Sequence, residues 1–83
     1  MTAEDITTEL LDHVQGRTRA TVAADQDLFA SGLVNSMFAM ELVVHLEQAY
    51  GVAIAGPDLK LDNFRSVRAM TDLVLRLRTT TGV

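Results

Sequence analysis

Eighty-three residues make room for one domain with one modest core, and leave little for a separate substrate lobe around a deep cleft, which counts against an enzyme. A net charge of -4, with six acids against two bases in residues 1–27, presents nucleic acid with a mostly repulsive surface. The chain has no Cys, which removes disulfides and thiolate metal ligands, and the absence of a basic, signal-like start or a membrane-length apolar run makes a cytoplasmic protein with no membrane partner the expectation.

Ile6, Leu10, Leu11 and Val14 recur at helical spacing. Glu4, Asp5 and Glu9 lie in the early turns, where carboxylates oppose the helix dipole favourably. A first helix is predicted over residues 3–15, with Gly16 as its stop. Residues 17–35 show no period, although Val22, Leu28, Phe29 and Leu33 can pin the segment to a core. So long a connection without structure of its own argues against an assignment unless it is functional.

The second helix is predicted to start near Asn35 or Ser36 and to end at Gly51. Residues 51–58, GVAIAGPD, break the pattern, and Leu59 to Phe64 is at most a short helix entered through Pro57 and Asp58. Ser66 is placed to cap a last helix with Val67, Met70, Leu73, Val74 and Leu77 inside and Arg68, Asp72 and Arg76 outside. The tail from about residue 79 is expected to fray. The sum is an all-α domain of four helices, three major and a minor third, covering residues 1–83.

The second helix has two apolar faces. At about 100° per residue, Ala39, Leu42, Val43, Leu46 and Tyr50 fall in a sector of roughly 100°, enough for a core stripe. Met37 and Val44 point almost oppositely, with Met40 nearby. Spacing leaves two placements open for this second face: beneath the long first loop, or exposed as a partner site suited to adaptable methionines. The run from Leu28 to Met40 is also thirteen residues without a charge.

Ser36 stands at the start of this helix, where its ordinary role would be an N-cap. A catalytic role is disfavoured, because His45 lies roughly 180° around and about 13 Å along the same helix. His13 shows no third partner, and two separated histidines make no metal site, so no metal is expected. His45 is read as a solvent-side residue paired with Glu41 at i, i+4. What the position does offer is a helix N-terminus free of nearby carboxylates, favourable to a phosphate ester on Ser36.

The stretch DQDLFASGLVNSMFAMELVVHLEQAYGV, residues 25–52, closely resembles the acyl and peptidyl carrier protein family: an acidic-Leu-Phe segment, a Gly-Leu step, Asp-Ser-Leu or a variant, then a helix ending in Leu-Glu and an aromatic. The resemblance extends to the NFRSV entry into the last helix. It implies an acyl-carrier-like bundle with a long ordered first loop, and a covalent 4'-phosphopantetheine on Ser36, installed from coenzyme A by a phosphopantetheinyl transferase. It implies a carrier that catalyses nothing alone and holds its cargo as a thioester on the arm.

Three departures qualify the likeness: Asn35 replaces the usual Asp, Met37 the usual Leu, and Phe38 and Ala39 occupy positions often polar or acidic. Partner recognition around Asn35 is therefore expected to lean on Met37, Met40 and Val44, with Glu41 and Glu47 the only acids on the helix and charge secondary. That argues against a general fatty-acid-synthase carrier. LFASGLVNSMFAMELVVHLE and GPDLKLDNFRSV look most like free-standing carriers of polyketide extender units of the methoxymalonyl type, whose partners would be acyl-loading and acyl-modifying enzymes and a polyketide synthase acyltransferase. A monomer is expected. The alternatives are a free-standing aminoacyl, peptidyl or D-alanyl carrier, and an unmodified interaction domain of the same fold, which Asn35 leaves open. A small DNA-binding bundle, resting on the Arg-containing last helix, is opposed by the overall charge.

Overall fold

The computed structural model describes residues 2–81, with side chains through Arg78. Four α-helices follow one another: α1 (Ala3–Thr18), α2 (Ser36–Tyr50), α3 (Leu61–Phe64) and α4 (Val67–Thr81), with a 3-10 turn at Gly56–Asp58 before α3. No strand occurs among the described residues, and the expected all-α arrangement of three major helices and a short third is what the chain adopts.

Each boundary has a local cause. Thr2 and Asp5 close a reciprocal capping box at the start of α1, with Asp5 N–H donating to Thr2 Oγ1 at 3.2 Å and Thr2 N–H to Asp5 Oδ2 at 3.1 Å. These bonds hold the Asp5 carboxyl below its ordinary pKa. Gly51 ends α2 in the left-handed region, at φ 64°, as a glycine can. Ser66 Oγ accepts from Ala69 N–H at 3.1 Å and caps α4.

Gly16 does not stop α1. The helix runs two residues further, to Thr18, and its left-handed cap is Arg19 at φ 57°. Glycine inside a helix costs about 1 kcal/mol relative to alanine. Three bonds offset that cost: Arg19 N–H donates to Gln15 O at 2.7 Å, Thr18 Oγ1 to Val14 O at 2.8 Å, and Val22 N–H to the Gln15 side chain at 2.9 Å. At the other end of the chain α4 continues to Thr81, so part of the tail expected to fray is helical; Gly82 and Val83 lie outside the described residues.

The core is continuous. Ile6, Leu10 and Val14 of α1, Leu42 and Leu46 of α2, and Val67, Met70, Leu73 and Val74 of α4 are buried together, with Phe64 of α3. The backbones of α1 and α3 both pack closely on α4. Inside the apolar core, Thr71 is the one buried polar residue described, and its hydroxyl bonds to that of Thr7 at 3.0 Å, joining α4 to α1.

The long first loop is ordered by bonds that reach elsewhere. Val22, Leu28 and Val34 are buried, while Phe29 and Leu33 pack partly against the core. Leu28 N–H donates to Arg65 O at 2.7 Å and Arg68 N–H to Ala24 O at 2.8 Å, tying the loop to the α3–α4 junction. Asp27 turns the chain by accepting from both Phe29 and Ala30 N–H groups. The consequence is that the loop delivers the start of α2 from a fixed position.

Candidate functional site

Asn35, not Ser36, caps α2. Its backbone is extended and its side-chain oxygen accepts from Phe38 N–H at 2.9 Å, while its carbonyl accepts from Ala39 N–H at 2.9 Å. Ser36 is the first residue inside the helix, exposed, with its hydroxyl in no hydrogen bond among the described residues. The ordinary capping role weighed for this serine is thus filled by its neighbour. The first turn of α2 has no acidic residue, so the unpaired N–H groups and the positive end of the dipole meet no carboxylate of their own turn.

Met37 is 80% exposed, Met40 58% and Val44 48%, so the second apolar face of α2 is not covered by the loop. The remaining large exposed apolar side chains among the described residues are Leu59 and Leu61. These two, with Met40, Lys60 and Phe64, line a groove of about 220 Å³ that opens beside Ser36 between α2 and α3. Its lining holds one charged residue, Lys60. Leu59, Lys60 and Leu61 were not among the candidates from sequence; two leucines flanking a lysine in a segment too short to form an inward stripe was the signal available.

The two acids of α2 are engaged within the molecule. Glu41 does not pair with His45 as expected: Arg17 Nη2 lies 3.0 Å from both of its oxygens. Arg17 also sits over the Phe38 ring, its guanidinium carbon 5.3 Å from the ring centre. Glu47 accepts from Ile54 N–H at 2.9 Å and secures the chain after α2. His45 instead stacks on His13 of α1, ring centres 3.7 Å apart and planes 8° from parallel. Burial, then the His45 and Arg17 charges, hold the His13 pKa below its ordinary value, with Glu41 opposing. Stacked rings direct their nitrogen lone pairs side by side rather than toward a common point, and the described residues hold no cluster of three or more metal-ligating side chains.

An isolated serine hydroxyl at a helix start, with no base or third partner around it, suits a group added to it by another protein better than catalysis by the chain itself. Residues 8–74 match the family model described as the phosphopantetheine attachment site. The chain belongs to this family. It is therefore a carrier: it bears 4'-phosphopantetheine covalently and is not an enzyme, and carriers of this kind meet a phosphopantetheinyl transferase and acyl-handling enzymes. The arm supplies a terminal thiol that the chain, without cysteine, lacks. The residues at the start of α2 fit such a group: an exposed, unbonded hydroxyl for the ester, helix N–H groups for its phosphate, and no carboxylate in the first turn to oppose it. No curated protein matches the carrier at the sequence level. None of its described helices is long and apolar enough to cross a membrane.

Proposed function

We propose that Ser36 is the attachment residue and that the carrier holds an acyl intermediate as a thioester in the cytoplasm, an extender unit of polyketide biosynthesis being the cargo class. The observation behind the first part is the division of labour at the start of α2: Asn35 bonds Phe38 N–H, and Ser36 Oγ is left exposed and unbonded. The same arrangement supports modification over the interaction-domain reading, since Asn35 in place of Asp does the capping without consuming the serine. The polyketide assignment rests on the resemblance of residues 28–47 and 56–67.

Successive enzymes would meet Met37, Met40 and Val44, an apolar strip beginning one residue beyond the attachment point. Carriers that rely on acidic helices would show a different surface here.

Incubation with coenzyme A and a broad-specificity phosphopantetheinyl transferase is expected to add the mass of one phosphopantetheine, and Ser36→Ala is expected to stay unmodified. Addition at Ser31 or Ser66 would overturn the assignment. A wild-type chain inert under conditions that load other carriers would favour the interaction-domain reading. Intact mass of the protein from its native host reads arm and cargo together; an aminoacyl adduct there would reject the polyketide extender unit.

A further inference from the structure

Glu41 lies four residues from Met37 and three from Val44, so its carboxylate sits at the edge of the apolar strip. Left bare, it would put a charge where a partner must remove water, which is unfavourable against an apolar surface. Arg17 pairs with that carboxylate, both side chains staying about half exposed. It reaches Glu41 from α1 across 24 positions of sequence, contacts both oxygens at 3.0 Å, and is held in place over Phe38. The other carboxylate of the helix, Glu47, is turned toward Ile54 N–H. The groove on the Ser36 side has Lys60 as the single charged residue of its lining.

We infer that Arg17 acts as a charge mask that makes the docking face neutral, fitting it to an enzyme whose contact surface is apolar and has no cluster of Arg or Lys. An enzyme with such a cluster would find no bare carboxylate on α2 and would meet Lys60 at like charge. An apolar surface meets Met37, Met40 and Val44 beside a carboxylate that is already paired, so that no lone charge has to be desolvated there. The mask depends on α1 passing through Gly16, because a helix ending there would not hold Arg17 in position. The inference rests on the reading of Ser36 as the attachment residue.

The test measures kcat/KM for arm installation by a broad-specificity phosphopantetheinyl transferase with coenzyme A on wild type, Arg17→Gln and the double variant Arg17→Gln with Glu41→Gln, each first shown to melt like wild type. Arg17→Gln, which bares the carboxylate, is expected to lower kcat/KM about fivefold or more, and the double variant to recover to within about twofold of wild type. Wild-type kcat/KM is expected to change little between about 50 mM and about 500 mM salt. A rise in kcat/KM for Arg17→Gln that disappears in salt would mean that the enzyme reads an acidic face, and would overturn the mask. A double variant as slow as the single one would show that Arg17 itself touches the enzyme, and no change in either variant would show that the pair is irrelevant; each also overturns it. A wild-type chain that takes no arm at Ser36 removes the attachment reading instead, a result distinct from any of these.

Discussion

α1 makes two seams of opposite character. Toward α4 the backbones approach closely, the side chains between are buried and apolar, and Thr7–Thr71 is the polar link. Toward α2, outside the buried leucines that the two helices share, they are bridged by a ladder of long polar side chains: Glu9 with Tyr50 at 2.9 Å, His13 stacked on His45, and Arg17 with Glu41. The rungs are four residues apart along α1, one per turn. Burial and the bond to Glu9 raise the Tyr50 phenol well above its ordinary pKa, so that rung stays protonated as a donor. The apolar seam is where stability accumulates, and the ladder is where charge can be adjusted without unfolding the domain.

The largest expected contrast comes from the apolar seam. Leu73→Ala, at a fully buried position of α4, is expected to cost about 2–5 kcal/mol in denaturant melts, through lost burial and the cavity left behind. A loss below about 1 kcal/mol would mean that the seam collapses freely and is not the stable part of the molecule.

Acid should act on the ladder. The folded pKa of His13 lies below its unfolded value of about 6.5, so between the two values the unfolded chain binds more protons. Its contribution to stability is therefore complete above about pH 6.5 and is lost as pH falls through the folded pKa. The groups facing it across the seam are His45 and Glu41, with Arg17 on its own helix. Denaturant melts of wild type from about pH 7.5 to about pH 5.5 are expected to show a fall that His13→Gln reduces. Equal falls in the two proteins would assign the acid sensitivity to groups outside this rung.

The smallest effect is expected from the outer rung. A double-mutant cycle on Arg17 and Glu41, both about half exposed, is expected to give a coupling of about 0.2–1 kcal/mol that shrinks in high salt. A coupling above about 2 kcal/mol would make the ladder a stability element and erase the distinction between the seams.

Much of this architecture is legible in one dimension. The stripes of α1, α2 and α4 declare themselves by spacing, Gly51 and Ser66 mark real boundaries, and the motif around Ser36 points to its chemistry before any coordinates are known. The capping box of Thr2 and Asp5 is local, both partners lying within one turn, although of the two only Asp5 stands out in the sequence, as an acid of the first turn. Gly16 misled, since glycine's helix cost is small enough for Thr18, Gln15 and Arg19 to outweigh it through bonds made beyond the turn.

Sequence by itself determined which residues could be helical, which serine carries the family motif, and that α2 has an apolar face to spare, because these follow from interactions within a turn or two of helix. Only the tertiary structure decided that the spare face is exposed rather than covered by the loop, and that Glu41 belongs to Arg17 while His45 belongs to His13. Those outcomes depend on how α1 lies against α2, which is set by the shared core of Leu10, Val14, Leu42 and Leu46, so a charge on one helix finds its partner only after the buried faces have met.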